Sequence, residues 1–185
     1  MAKTVDMRLK TSLLEDTVKK LNKQIQMEGV SSFYYLGMAS WAEIHGYKHA
    51  AQFLFDHAAE ENLHMMKIMK YVNDAGGHAH APEIKNIRNE FASLREVFET
   101  ILEHEVAVSK AINNLVDYCF TAKDFGTFQF LQWFVGEQRE EEAVSRQMLD
   151  FFDLIGEEGQ GLYLIDLEIG KFAAQINAAA QTEAK

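Results

Sequence analysis

The sequence predicts an all-α fold: a four-helix bundle with one long crossover connection and a short fifth C-terminal helix. Pro82 is the single proline among 185 residues, which favours a chain with few interruptions of helical structure. Four long segments repeat apolar residues at the spacing of one helix face. Two of the three connections between these segments are short, whereas the middle one, "GGHAHAPEIKNIRNEFA", is long.

The predicted long helices cover residues of about 12–41, 47–75, 93–122 and 125–155, with Ser12 as a candidate N-cap of the first. Short connections make antiparallel neighbours, and a crossover that travels the length of the bundle lets the second and third helices run parallel. A short helix is predicted over "LYLIDLEIGKFAAQI", and residues 172–185 are predicted as a frayed tail. We expect one domain over 1–185, in which 1–11 form an N-terminal extension.

Composition and charge argue against several classes of function. The net charge of −10 argues against a basic nucleic-acid-binding face. No run of residues is long and apolar enough to cross a membrane, and the first residues do not resemble a secretion signal. Cys119 is the single cysteine, so an intrachain disulfide is excluded and a reducing compartment is favoured. These observations predict a cytoplasmic protein with neither nucleic acid nor membrane as partner.

Each of the four predicted long helices carries acidic residues midway along its apolar seam. They are Glu28 on the first helix, Glu61 with His64 on the second, Glu105 on the third, and Glu137 with Glu141 on the fourth. In helices of similar length these positions meet at one level. Burying an ionised carboxylate costs several kcal/mol, and no lysine or arginine occupies the seams at this level. The acids therefore hold either protons or cations.

Two divalent cations would balance four carboxylates, with Glu61 as the bridge between them. Glu61 and His64 are three residues apart, so both can reach the same ion from one helix face. Oxygen-rich ligation with one imidazole favours iron or manganese over structural zinc, and calcium or magnesium would not need the histidine.

A structural alternative exists at each position. A lone seam glutamate is more often a rim residue, a lone E-x-x-H pair is weak, and protonated acids would need no metal. The metal interpretation is favoured because the pattern recurs on four helices at one level. His57 is interpreted as a core histidine, His104 as a surface group, and Glu60, Glu140 and Glu142 as a solvated charge run.

The sequence resembles the non-haem bacterial ferritins, which belong to the ferritin-like di-iron carboxylate family. The segments that carry the resemblance are "LNKQIQMEGVSSFYYLGMASW", "FLFDHAAEENLHMMKIMKYV", "LEHEVAVSKAINNL", "FGTFQFLQWFVGEQREEEAVSRQML" and "GQGLYLIDLEIG". The similarity covers residues of about 14–170. It implies an iron-storage ferroxidase that oxidises Fe(II) with dioxygen or hydrogen peroxide and keeps Fe(III) as a mineral inside a hollow shell of 24 subunits.

The resemblance also implies roles for individual residues. The implied first iron site is Glu28, Glu61 and His64, the second is Glu61, Glu105 and Glu141, and the third is Glu60, Glu137, Glu140 and Glu141. Tyr35 matches a tyrosine beside the first site and joins the implied catalytic set of Glu28, Glu61, His64, Glu105 and Glu141.

Two departures separate the chain from haem-binding bacterioferritins. Those proteins have a second E-x-x-H motif on the fourth helix, but here Val144 stands three residues after Glu141, at the position of the histidine. Asn62 stands where they place a haem-binding methionine. We therefore expect no haem. Rubrerythrins share the bundle but also need paired cysteines, which a chain with one cysteine cannot supply. The alternative function is a di-metal carboxylate oxidase or peroxidase that acts on an organic substrate and stores no iron.

Overall fold

The structure, a computed structural model, describes residues 10–183 and confirms the predicted bundle. Within this range the chain forms five helices and no strand: α1 (Glu15–Ile44), α2 (Lys48–Asp74), α3 (Leu94–Thr121), α4 (Phe125–Ile155) and α5 (Gly161–Glu183). Most of the predicted N-terminal extension, residues 1–9, lies outside the described residues. None of the described helices is long and apolar enough to span a membrane.

The ends of α1 and α5 differ from the prediction. Leu14, not Ser12, is the N-cap of α1, and it makes no side-chain capping bond. The hydroxyl of Thr11 instead donates to the backbone oxygen of Ala75, which ties the segment before α1 to the end of α2. The tail predicted as frayed from residue 172 onward is helical as far as Glu183. It is helical because Phe172 and neighbouring apolar residues pack against the bundle, which stabilises helix that composition alone would not.

Ring contacts fix the relative directions of the helices. α1 packs along α2, and α3 packs along α4. The ring of Phe53, near the start of α2, lies 6.0 Å from that of Phe98, near the start of α3. Phe98 in turn lies 5.8 Å from Phe152, near the end of α4. Helices α2 and α3 therefore run parallel, and the crossover between them connects opposite ends of the bundle.

The crossover lies against α1 because two glycines leave room for it. A Cβ atom at Gly29 would lie 2.5 Å from Cγ of Pro82, and one at Gly37 would lie 2.7 Å from the backbone oxygen of Arg88. Both distances are shorter than atoms tolerate. Gln26 fastens the same segment, because its Nε2 donates to the Glu83 oxygen at 2.6 Å and its Oε1 accepts from the Glu83 N–H at 2.8 Å.

Asp166 of α5 supplies the cap that α2 lacks. The N-cap residue Tyr47 makes no side-chain capping bond. The carboxylate of Asp166 accepts from the backbone N–H groups of Ala50, at 2.8 Å, and His49, at 3.3 Å. The first N–H groups of a helix have no partner within that helix, and an acidic side chain also complements the helix dipole there. This contact holds α5 against the start of α2.

We expect Asp166→Ala to lower the free energy of unfolding by about 1–2 kcal/mol, the usual cost of removing a capping side chain. Thermal unfolding of the variant and the wild-type protein measures the effect. Asp150→Ala, which removes an exposed acid from α4, is the matched control. Equal midpoints for the Asp166 variant and the wild-type protein would show that the cap is dispensable.

A polar layer divides the apolar core into two clusters. One cluster surrounds Phe98 and Phe152, and the other surrounds Ile25 and Phe134. Between them lie the buried polar side chains of Gln24, Glu28, Glu61, His64, Glu105, Gln138 and Glu141. The fold therefore places the mid-helix acids at one level, inside the bundle.

Candidate metal centre

Glu28, Glu61 and His64 form the most deeply buried cluster of possible metal ligands. Their side chains are 1%, 2% and 4% exposed, and one ligand atom from each lies within 4.8 Å of the others. Gln24 Nε2 donates to Glu28 Oε1 at 2.7 Å. Among the described residues, Oε2 of Glu28 and Oε2 of Glu61 are buried without a hydrogen-bond partner. Buried polar atoms are nearly always satisfied, so these two oxygens fit a bound cation.

The electrostatics of this cluster favour a cation as well. Burial raises the pKa of Glu28, and burial together with the charges of Glu28 and Glu105 raises the pKa of Glu61 well above its usual range. Burial lowers the pKa of His64 to about 4, so its imidazole is neutral at neutral pH and has a free lone pair. A divalent cation would offset the carboxylate repulsion and accept that lone pair.

Glu105 lies beside this cluster with partners of its own. The Tyr35 hydroxyl donates to Glu105 Oε1 at 2.8 Å, and Gln138 Nε2 donates to Oε2 at 3.3 Å. Burial raises the pKa of Glu105 to about 7, although the Tyr35 hydrogen bond acts in the opposite direction. Burial and the charges of Glu105 and Glu141 raise the pKa of Tyr35 well above its usual range.

Two further clusters extend from the centre toward the side of the bundle that α5 covers. One is Glu60, His64 and Glu137, and the other is His57, Glu60 and Glu141; in each, one ligand atom per residue lies within 4.8 Å of the others. His64 is shared by the buried cluster with Glu28 and by the cluster with Glu137. Glu60 is shared by the cluster with Glu137 and the cluster with His57. Glu105 belongs to none of the three among the described residues.

The position of Glu137 on α4 differs from the prediction. Gln138, not Glu137, occupies the buried seam position, and Glu137 is half-buried. The buried α4 seam runs through Leu131, Phe134, Gln138 and Glu141, so the predicted seam was displaced by one residue at Glu137. Glu140 is exposed, and together with Glu60 and Glu137 it lines a cavity of about 150 Å³.

Sequence reasoning missed four polar side chains around the centre. Gln24 and Gln138 hydrogen-bond to Glu28 and Glu105, and both lie on helix faces that carry a seam glutamate one turn away. His104 is half-buried rather than on the surface, with Nε2 2.6 Å from the Ser31 hydroxyl. The fourth of these side chains is His57. Its Nε2 lies 3.6 Å from Glu141 Oε2. Its position four residues before Glu61 was the available signal.

Comparison with known proteins decides the family. The family model for the ferritin-like domain matches residues 18–155, which is most of the chain. The chain belongs to the ferritin family. Its curated relatives include the bacterial non-heme ferritin of Campylobacter jejuni, 45% identical over 161 residues that cover 87% of this chain and 96% of the relative. A probable bacterial non-heme ferritin-like protein of Haemophilus influenzae is 43% identical, with 88% and 99% coverage.

Solved structures agree with the sequence relatives of this ferritin. The open-pore ferritin of the hyperthermophilic archaeon Archaeoglobus fulgidus superposes with a TM-score of 0.83 at 37% identity, covering 86% of this chain and 97% of that one. A humanized archaeal ferritin gives a TM-score of 0.83 at 38% identity, with 86% and 96% coverage. The bundle therefore has the ferritin fold.

Proposed function

We propose that this ferritin oxidises Fe(II) at its buried centre and stores the product as a ferric mineral inside an oligomeric shell. The observation that carries the proposal is the pair of buried carboxylate oxygens, on Glu28 and Glu61, that have no hydrogen-bond partner among the described residues. They face the neutral imidazole of His64 in the middle of a ferritin bundle.

The protein side chains have separate roles in this scheme. Glu28, Glu61 and His64 would hold one ion, and Glu61, Glu105 and Glu141 would hold a second, with Glu61 between them. Iron supplies the electrons of the reaction. Several carboxylates around the ions stabilise a charge of +3 more than a charge of +2, which favours oxidation. Tyr35 holds Glu105 in position through its hydrogen bond.

Glu60, Glu137, Glu140 and Glu141 would supply a third iron position next to the centre. Glu140 is the most exposed of these four acids, which suits a residue that meets ions in solvent. We propose dioxygen or hydrogen peroxide as the oxidant, a shell of 24 subunits, and a cytoplasmic location. The similarity to bacterial non-heme ferritins over nearly their whole length supports these three proposals.

Sizing chromatography combined with iron loading in air tests storage. We expect an assembly of several hundred kilodaltons that takes up far more iron than two ions per chain. The matched control is Glu61→Gln, which should assemble equally but load iron slowly. A small oligomer that stops at two ions per chain would instead identify a di-metal oxidase without storage.

A further inference from the structure

His78 and His80 form a pair of neighbouring imidazoles on the crossover, away from the buried centre. Their ring centres are 4.7 Å apart, and the ring planes cross at 84°. Both side chains are exposed, whereas Ala79 between them is 8% exposed and packs into the core cluster around Ile25. This alternation is that of an extended chain, in which residues two apart point to the same side. Both imidazoles therefore face outward together.

Hydrogen bonds fix the backbone of all three of these crossover residues. Nδ2 of Asn22 donates to the backbone oxygen of His78 at 3.0 Å, and Oδ1 of Asn22 accepts from the N–H of His80 at 2.7 Å. Oδ1 of Asn73 accepts from the N–H of Ala79 at 3.0 Å. Asn22 belongs to α1 and Asn73 to α2, so two helices hold this short segment. A binding site that is held in place beforehand loses little conformational freedom when its ligand arrives.

The separation of the two rings fits two imidazoles on adjacent positions of one metal ion. A metal–nitrogen bond of about 2.0–2.1 Å places the centre of the ring about 3.2 Å from the metal. Two such rings have centres about 4.5 Å apart at an angle of about 90°, and about 5.2 Å apart at the tetrahedral angle. The separation of 4.7 Å lies nearer the first value. Right-angled positions for nitrogen and oxygen ligands are typical of Cu(II) and Ni(II).

We propose that His78 and His80 bind one divalent transition-metal ion, and that Cu(II) binds most tightly. Cu(II) leads the order of affinity for such ligands, whereas Fe(II) stands near its lower end. Among the described residues the pair belongs to none of the groups of three possible ligands, so the other positions of the ion are open to water. Asn22 lies six residues before Glu28, about 9 Å along α1. The site is therefore separate from the buried centre and does not rest on the proposed iron chemistry.

The charges around the pair separate coordination from general attraction. Both histidines lie in an open groove between α1 and the crossover, which Lys19, Lys20 and Lys23 also line. Their ammonium groups repel a cation, and dissolved salt screens that repulsion. Binding through imidazole nitrogens should therefore stay constant or tighten as a non-coordinating salt is added. Attraction of a cation to an acidic protein surface would instead weaken with salt.

Crystals of the assembled protein, soaked in Cu(II), locate the ion directly. We expect an anomalous peak at the copper edge, about 2 Å from one ring nitrogen of each histidine. In equilibrium dialysis at micromolar Cu(II), His78→Gln and His80→Gln should each bind one ion fewer per chain than the wild-type protein. Asn22→Ala keeps both imidazoles but releases their backbone, so it should weaken binding at this site about 10-fold.

His45→Gln is the matched control, because His45 is an exposed histidine at the end of α1. It should bind as many Cu(II) ions as the wild-type protein. His80→Gln should oxidise Fe(II) at the wild-type rate. Copper at the buried centre with no peak between His78 and His80 would overturn the inference, as would equal stoichiometry for His80→Gln and His45→Gln. Binding that weakens as salt is added would identify an adventitious ion only. Each of these results leaves the proposed function standing.

Discussion

Glu61→Gln is expected to slow the initial oxidation of Fe(II) by at least 10- to 100-fold while the shell still assembles. That range is typical for loss of a residue that merely orients a metal ligand, and Glu61 is proposed as a ligand of two ions. Glutamine keeps the size of the side chain and removes the charge that offsets the cations. Since Glu61 is 2% exposed, no solvent molecule easily takes its place.

Stopped-flow absorbance after mixing the metal-free protein with Fe(II) in air measures this rate. His64→Ala should show a similar loss, because it removes the one imidazole of the buried cluster. Glu103→Gln is the matched control, since Glu103 is an exposed acid on α3 at nearly the same level. A trace from Glu61→Gln that overlays that of Glu103→Gln would show that the ligand assignment is wrong.

The second large effect concerns the metal-free protein, in which Glu105→Gln should increase stability at pH 8. Burial raises the pKa of Glu105 from 4.5 to about 7, so the folded state binds this proton more tightly than the unfolded state does. The stabilisation from that proton is complete below pH 4.5 and is lost as the pH rises through 7. A shift of this size corresponds to about 3 kcal/mol per chain.

Glutamine at position 105 stays neutral at every pH and can still accept the hydrogen bond from Tyr35. Melting temperatures measured with a chelator at pH 5 and pH 8 should therefore differ less in Glu105→Gln than in the wild-type protein. Glu99→Gln, an exposed change on the same helix, controls for the loss of one charge. If Glu105→Gln gave the same pH dependence as the Glu99 variant, the raised pKa would not govern stability.

The sequence was sufficient for the helices and for the level at which their acids meet. Seam glutamates conflict with the apolar period around them, so Glu28, Glu61 and Glu105 stand out and are buried in the structure. The α4 seam was harder to place, because apolar residues lie side by side there. Phe130 and Leu131 both fit a seam, and the choice between them decides whether Glu137 or Gln138 faces inward.

Other features depend on contacts between helices, which no period along one helix reports. His104 is half-buried because α1 presents the Ser31 hydroxyl to it. The alanine-rich sequence of the α5 tail predicts weak order, but its apolar residues pack into the groove beside α2 and α4. The roles of the site residues as ligands remain predictions until metal is located in the protein.

The contact between Pro82 and Gly29 has a consequence for how precisely α1 can be positioned. Gly29 follows Glu28 directly, and the proline ring occupies the volume that any side chain at residue 29 would need. The proline ring therefore packs against the outside of α1 at the turn that carries Glu28. Rolling α1 about its long axis would drive its backbone into the ring, so the only proline of the chain acts as a stop that keeps the Glu28 carboxylate in register.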